Sequence, residues 1–246
     1  MAVLVTRPDE RGKQLVDLLN QSGMTALYLP LFSFQCGAEL EQLPSKLNQL
    51  KVGDYVFFVS RSAVDFSVKI LKKSGFQWRE DLRYITVGQN TAQHFSCQSE
   101  RTIHYPISQE NSEGLLALPQ MQTLSGRRIL ILRGNGGRNY FAEQATSRGA
   151  IVETLECYRR ELINYNQEEQ IDICKRSGTD TLVVTSLEIL RGLIELIPKH
   201  EQEWLKSCRL VTVSERIADA AKNYGWQTII LSPKADNQSL LNTLLS

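Results

Sequence analysis

Residues 83–92 read RYITVGQNTA and residues 209–218 read RLVTVSERIA, and these two stretches decide the fold. Each begins with a short apolar run of the kind that forms a buried strand and then turns polar. They lie 126 positions apart, and sliding residues 1–120 over residues 127–246 gives 17 identities, where chance gives about 7. The offset favours an internal duplication, and the alternative is that similar α/β units converged on similar spacing.

Short apolar runs, mostly β-branched or aromatic, predict six strands: Val3–Thr6, Tyr55–Val59, Tyr84–Val87, Ile129–Leu132, Thr181–Thr185 and Leu210–Val213. Because these runs lack polar alternation, they are typical of a parallel sheet covered on both faces. Helical spacing follows three of them, at Leu15, Leu18 and Leu19, at Ile189, Leu190, Leu193, Ile194 and Ile197, and at Ile217, Ala218, Ala221 and Lys222. Pro8 can open the first helix, since its missing N–H falls among the donors that are unpaired there anyway. Strands that alternate with helices predict an α/β fold with right-handed crossovers.

The division into domains has two interpretations. A tandem arrangement cuts the chain near residues 124–126. In the other arrangement, the first βαβ segment (residues 1 to about 35) joins the C-terminal half, and the middle of the chain is inserted as a second domain. Both predict two similar α/β lobes that face each other across a cleft.

The composition excludes several classes of protein. Among 246 residues, 42% are hydrophobic and 22% charged, and the formal net charge of +1 is not that of a general nucleic-acid or membrane-surface binder. We read no signal peptide and no apolar run long enough to span a bilayer. Five scattered cysteines without a Cys-x-x-Cys pair are typical of a reducing cytoplasm, and three isolated histidines argue against a metal site.

Polar turns follow the predicted strands, where helix N-termini present unpaired N–H groups. They are Arg7-Pro8, Ser60-Arg61-Ser62, Gly88-Gln89-Asn90-Thr91, Arg133-Gly134-Asn135-Gly136-Gly137-Arg138, Thr185-Ser186 and Ser214-Glu215-Arg216. Small residues, hydroxyls and arginines suit anionic oxygens, so the turns predict a site for carboxylate or phosphate. The glycine run is not the Gly-x-Gly-x-x-Gly of dinucleotide sites and has no Walker lysine, and a tight turn of unusual φ is its alternative interpretation.

The chain resembles the uroporphyrinogen-III synthase family, closest to its proteobacterial type, and the resemblance runs nearly end to end. It is carried by Val5-Thr6-Arg7-Pro8, Phe58-Val59-Ser60 with Ala63-Val64, Val87-Gly88 with Thr91-Ala92, Ser112-Glu113-Gly114-Leu115-Leu116, Leu132-Arg133-Gly134-Asn135-Gly136-Gly137-Arg138, Cys157-Tyr158-Arg159-Arg160, Val184-Thr185-Ser186 and Val213-Ser214-Glu215-Arg216. Each motif is weak alone, and their order and spacing together make the resemblance specific. About 39–52 and 163–178 are polar stretches that it does not cover.

The resemblance implies an α/β fold of two similar domains, each a parallel sheet flanked by helices. One domain is discontinuous, with residues 1–35 and 163–246, and residues 39–155 form the inserted domain. Linkers near 34–38 and 156–162 join them and allow hinge closure over a large ligand.

The resemblance also implies the reaction. The family closes hydroxymethylbilane, a linear tetrapyrrole with eight carboxylates, to uroporphyrinogen III, with loss of water and inversion of the last ring through a spiro intermediate. Positioning supplies the catalysis, so the family needs no cofactor. We expect a cytoplasmic monomer that binds this small molecule and no nucleic acid or membrane, with room for a transient contact with hydroxymethylbilane synthase.

Tyr158 matches the family's tyrosine, which implies a role as the acid for the departing hydroxyl, because a phenol keeps its proton at neutral pH. A packing role in the linker is its alternative. The predicted substrate-binding residues are Arg7, Ser60, Ser62, Gly88, Thr91, Arg133, Gly134, Asn135, Gly136, Arg138, Thr185, Ser186, Ser214 and Arg216, and for each arginine a structural role is the alternative. Structural roles are expected for Arg83, Arg209, Trp78 and Trp204.

Two other functions fit the residues. One is a two-lobed receptor that clamps a small anionic ligand, and the other is a nucleotide-dependent transferase that uses the glycine run for phosphate. A hydrolase is not indicated, since neither Ser60 nor Ser186 lies in a Gly-x-Ser-x-Gly motif.

Overall fold

The chain folds into two compact α/β units, each built on its own sheet. The structure is a computed structural model that describes residues 2–246, without the side chain of Asp9. Residues up to Ser33 together with Glu161–Ser246 form the first unit, and Phe34–Arg160 form the second unit.

Strands and helices alternate along most of the described chain. The strands are β1 (Ala2–Val5), β2 (Thr25–Tyr28), β3 (Phe32–Cys36), β4 (Tyr55–Phe58), β5 (Arg83–Thr86), β6 (Ile103–His104), β7 (Arg128–Gly134), β8 (Ile151–Leu162), β9 (Thr179–Val184), β10 (Arg209–Thr212) and β11 (Ile229–Leu231). The helices are α1 (Asp9–Gln21), α2 (Leu43–Gln49), α3 (Arg61–Ser74), α4 (Gln89–Ser99), α5 (Ser112–Ala117), α6 (Tyr140–Ser147), α7 (Gln167–Arg176), α8 (Leu187–Leu196), α9 (Gln202–Ser207), α10 (Glu215–Tyr224) and α11 (Asn237–Leu245).

Parallel pairing dominates both sheets. The strand order is β11-β10-β9-β1-β2 in the first unit and β3-β8-β7-β4-β5-β6 in the second. All neighbouring pairs of the first sheet are parallel, and so are the pairs from β8 to β6 in the second. The predicted α/β fold with parallel sheets flanked by helices is confirmed.

Each sheet is covered on both faces, as the unbroken apolar runs predict. In the first unit, Val3 and Val5 pack with residues of α1 and α11, whereas Leu4 between them packs with residues of α8 and α10. In the second unit, Val56 and Phe58 lie in one buried cluster, and Tyr55 and Phe57 lie in another. Successive side chains therefore enter opposite layers of the core.

All six predicted strands exist, with ends that differ by at most two residues. The apolar runs do not indicate β2, β3, β6, β8 and β11. Pro8 directly precedes α1 as its N-cap residue, so a helix opens at this proline as predicted.

The offset of 126 relates most of the strands and helices of the two halves. It carries β1–α1–β2 onto β7–α6–β8, and β4, β5 and β6 onto β9, β10 and β11. Corresponding strands occupy corresponding places in the two sheets. Each unit nevertheless takes its βαβ segment from one repeat and its remaining strands from the other.

Candidate active site

The carboxyl edge of the second unit's sheet gathers most of the predicted site residues. Strands β4, β5 and β7 are paired in register and end at this edge. The residues at these strand ends or just after them are Ser60, Ser62, Gly88, Thr91, Arg133, Gly134, Asn135, Gly136 and Arg138. Tyr158 joins them from β8, where it pairs with Gly134.

The remaining predicted site residues lie at the carboxyl edge of the first unit's sheet. Arg7 follows β1, Thr185 and Ser186 follow β9, and Ser214 and Arg216 follow β10. The predicted residues thus form two groups, one in each unit.

Tyr158 is held by contacts on several sides. Its ring stacks on Phe66, with the ring centroids 6.0 Å apart, and is tilted against Phe34 at 5.8 Å. A Cβ atom at Gly134 would lie 2.7 Å from two carbons of the Tyr158 ring, so only glycine allows this approach. The side chain is half-buried, and its hydroxyl lies 3.0 Å from Ser60 Oγ. Packing therefore fixes the ring, and Ser60 holds its polar end.

Two predicted serines cap helices at equivalent positions of the repeat. Ser60 Oγ accepts a hydrogen bond from Ala63 N (3.3 Å) at the start of α3, and Ser186 Oγ accepts one from Ile189 N (3.1 Å) at the start of α8. A serine at this position satisfies one of the N–H groups left unpaired at a helix start. Both hydroxyl protons remain available for another acceptor.

The starts of α4 and α10, which are also equivalent in the repeat, lack such a cap. Gly88 has no side chain to offer, and Ser214 makes no capping hydrogen bond. The first N–H groups of these two helices are therefore not occupied by a side chain of the cap residue, and they carry partial positive charge. Half-buried Thr91 and exposed Arg216 lie in the first turns.

The glycine run forms a loop whose shape is fixed from within. Arg133 donates from Nη1 to Asn139 Oδ1 (2.7 Å) and from Nη2 to the carbonyls of Gly136 (3.0 Å) and Gly137 (2.9 Å). Gly137 has φ +113°, which confirms the tight turn of unusual φ. The guanidinium of Arg133 is therefore occupied by the loop that follows it, which favours the structural alternative for this arginine.

The side chains of Asn135 and Arg7 also make hydrogen bonds within the protein. The amide of Asn135 donates to Arg160 O (3.2 Å) and accepts from Arg160 N (3.0 Å). Arg7 is buried, and its Nη1 donates to Ala235 O (2.7 Å) and Asn237 Oδ1 (2.9 Å). The geometry favours the structural alternative for Arg7.

Arg138 and Arg216 are the exposed arginines of the predicted set. Arg138 donates to Glu113 Oε1 (2.6 Å) and lies over the ring of Tyr140. This hydrogen bond lowers the pKa of the Glu113 carboxyl, which therefore stays ionised beside the arginine. Arg216 makes no hydrogen bond or ion pair with the part of the chain that the structure describes.

Comparison with known proteins identifies the family. The family model for uroporphyrinogen-III synthase HemD matches residues 13–242. Over 245 residues the chain is 42% identical to the uroporphyrinogen-III synthase of Salmonella typhimurium and 40% identical to that of Escherichia coli K12, with 99% of this chain and 100% of each relative covered. The chain belongs to the uroporphyrinogen-III synthase family. The resemblance seen in the sequence is confirmed.

Solved structures show the fold of the uroporphyrinogen-III synthase family in this chain. A mutant uroporphyrinogen III synthase of the extremely thermophilic bacterium Thermus thermophilus aligns with TM-score 0.65 and 17% identity over 100% of this chain and 99% of that one. The Helicobacter pylori 26695 uroporphyrinogen-III synthetase aligns with TM-score 0.59 and 15% identity over 99% and 97%. Family membership replaces the receptor and transferase interpretations.

The sequence did not indicate several residues that shape this family member's site. Phe34 and Phe66 hold Tyr158, Asn139 holds Arg133, and Glu113 holds Arg138. No sequence pattern pairs these residues with their partners.

The residues predicted to be structural lie away from the carboxyl edge. Arg83 donates to Tyr55 Oη (3.0 Å) and Arg209 to Thr181 Oγ1 (3.3 Å), both at the amino ends of strands. Trp78 is buried among Phe58 and neighbouring aromatic rings. The predictions for Arg83, Arg209 and Trp78 are confirmed.

The cysteine beside Tyr158 offers no reactive thiol to the family's chemistry. Cys157 is buried, and burial raises the pKa of its thiol to about 12. A thiol with so high a pKa stays protonated and is a poor nucleophile.

Among the described residues, no cluster of three His, Cys, Asp or Glu side chains is arranged to hold a metal ion. No helix within residues 2–246 combines the length and apolarity needed to cross a membrane.

Proposed function

We propose that this chain closes hydroxymethylbilane to uroporphyrinogen III, with inversion of the last ring and loss of water. The observation that carries the proposal is 42% identity to a uroporphyrinogen-III synthase over 245 residues, with all of that relative covered. The whole length of that relative is therefore represented in this chain.

The bonds and protons that change in this reaction define what the protein must supply. The C–O bond of the terminal hydroxymethyl group breaks, and a proton converts the departing oxygen to water. The cation that remains is a protonated azafulvene. The substituted α-carbon of the last ring attacks its methylene carbon and forms a spiro intermediate. The bond between this α-carbon and the carbon that bridges to the preceding ring then breaks, and the other α-carbon of the last ring attacks the bridging carbon and loses its proton. Each step is chemistry of the substrate itself, so the protein contributes by orientation and by one well-placed proton donor.

Tyr158 is the proton donor in this proposal. Its hydroxyl is held by Ser60 at the carboxyl edge, and its half-buried ring is clamped by Phe34, Phe66 and the bare backbone of Gly134. The proton released from the closing carbon can restore the phenol. A general acid must have a fixed direction as well as a proton, and this packing provides one.

The substrate carboxylates need polar partners, and the two groups of site residues supply them. We propose that the backbone N–H groups at the starts of α4 and α10, with Ser62, Thr91, Thr185, Ser186, Ser214, Arg138 and Arg216, bind carboxylates. Arg7, Arg133 and Asn135 instead shape the strand ends and the glycine loop.

We propose further that residues 1–35 with 163–246 and residues 39–155 act as the two domains joined near 34–38 and 156–162. A transient contact with hydroxymethylbilane synthase would limit spontaneous closure of the substrate.

The test is an isomer assay. Freshly made hydroxymethylbilane is added to the protein, and the uroporphyrin isomers are separated after oxidation. Isomer III above the spontaneous background supports the proposal, and isomer I alone overturns it.

The Tyr158→Phe variant tests the proton donor. We expect kcat for isomer III to fall by about 100-fold, while Tm changes little because the ring and its packing remain. A variant with the turnover of the natural protein would remove Tyr158 from the mechanism.

A further inference from the structure

We propose that Ser60 is a positioning residue for this reaction, which directs the Tyr158 proton towards the substrate and stabilises the charge left on the phenol oxygen. The inference rests on the proposed function. It assigns to Ser60 a role through Tyr158 instead of the direct contact with substrate that the sequence predicts.

Ser60 Oγ lies between two partners of different kinds. Ala63 N, at 3.3 Å, can only donate, so it occupies one acceptor site of the serine oxygen. The hydroxyl of Tyr158, at 3.0 Å, can donate or accept. Because the proton of Ser60 has no role in the cap, it is available to Tyr158. When Ser60 donates, the proton of Tyr158 must point away from Ser60.

The same hydrogen bond acts on the charge that develops during proton transfer. Tyr158 gives its proton to the departing oxygen as the C–O bond breaks, and negative charge builds on the phenol oxygen. Ser60 keeps its own proton and donates a hydrogen bond to that oxygen, which strengthens as the charge grows. Ser60 itself accepts from the first turn of α3, a helix of 14 residues whose start carries partial positive charge.

The repeat separates the capping role of Ser60 from the proposed role. Ser186, 126 positions later, caps α8 with the same hydrogen bond. The position equivalent to Tyr158 is Phe32, which has no hydroxyl, and the position equivalent to Phe66 is Gly192. Ser186 therefore caps its helix without a tyrosine partner, whereas the serine–tyrosine pair occurs in the second unit.

The experiment is a double-mutant cycle with Ser60→Ala, Tyr158→Phe and the double variant. We expect Ser60→Ala to lower kcat about tenfold, with KM nearly unchanged, and Ser60→Thr to restore most of kcat because it keeps the hydroxyl. In the Tyr158→Phe background, Ser60→Ala should lower kcat no further, since a residue that acts through Tyr158 has nothing left to orient.

Loss of the cap is controlled by Asn166→Ala. Asn166 caps α7 by accepting from Glu169 N, and it lies outside the predicted site. Both alanine variants should lower Tm by about 2–4 °C, but Asn166→Ala should keep kcat. An equal fall of kcat in both variants, or additive effects of Ser60→Ala and Tyr158→Phe, would overturn the role of Ser60. If the natural protein forms only isomer I, the proposed function fails instead.

Discussion

At the scale of the residue, Gly134 decides where the Tyr158 ring can lie. Its φ is not in the left-handed region, so the reason for glycine here is space and not backbone strain. We expect Gly134→Ala to displace the ring, to destabilise the fold by about 1–3 kcal/mol as overpacking does, and to lower kcat by more than tenfold. Urea unfolding and the isomer assay measure the two effects.

Gly136→Ala is the matched control for stability, because a Cβ atom there meets nothing within 4 Å and the residue lies in the same loop. We expect its free energy of unfolding to stay within about 0.5 kcal/mol of the natural protein. Equal destabilisation by both substitutions would mean that the loop, and not the Tyr158 ring, requires glycine.

Single residues also show which features of the candidate site can be predicted from the sequence. Ser60 and Tyr158 are 98 positions apart, and no spacing rule joins residues so far apart in the chain. Tyr158 was found through the family resemblance, and Ser60 through its place after a strand. The hydrogen bond between them appears only in the fold. Arg7 shows the opposite limit, because its place in a polar turn predicts a substrate-binding residue, whereas the burial of its side chain and its hydrogen bonds to Ala235 and Asn237 appear only in the fold.

At the scale of the element, Asp54 fixes the start of β4 to its neighbours. This carboxylate is 2% exposed and accepts from Lys51 N (2.7 Å) and from Arg128 N (3.0 Å) at the start of β7. Asp54→Ala leaves two backbone donors without their acceptor, so we expect a loss of about 2–3 kcal/mol in the free energy of unfolding. Urea unfolding measures it.

The equivalent residue of the other repeat, Asp180, is the matched control. It is exposed, and its Oδ1 accepts from Thr181 Oγ1 (2.9 Å). Asp180→Ala should cost less than about 0.5 kcal/mol. A similar loss at both positions would contradict the role given to the backbone contacts of Asp54.

Among the elements, the sequence predicts buried strands well and exposed strands badly. Strands β4 and β9 lie in the middle of their sheets, so apolar side chains line both faces and form a visible run. Strand β8 is largely exposed over its 12 residues and carries charged side chains, so it does not read as a strand. Burial on both faces, and not strand formation itself, is what the apolar pattern reports.

At the scale of the whole molecule, the repeat in the sequence and the units in the fold do not coincide. The N-terminal repeat contributes β1 and β2 to the first unit and β4, β5 and β6 to the second. A periodicity of 126 shows that two similar halves exist, but it carries no information on which strands pair. The pairing of β1 with β9 is long-range and is a property of the fold alone.

This difference predicts which piece of the chain folds alone. The fragment of residues 34–160 retains both buried clusters of its unit complete. The fragment of residues 1–126 is nearly the same length, but it lacks β7 beside β4 and β9 beside β1, so its central strands become bare edges. We expect 34–160 to show α/β circular dichroism and a cooperative urea transition, and 1–126 to show neither. A cooperative transition in 1–126 with none in 34–160 would mean that the tandem repeat, and not the inserted unit, is the folding unit, because cooperativity requires a complete core.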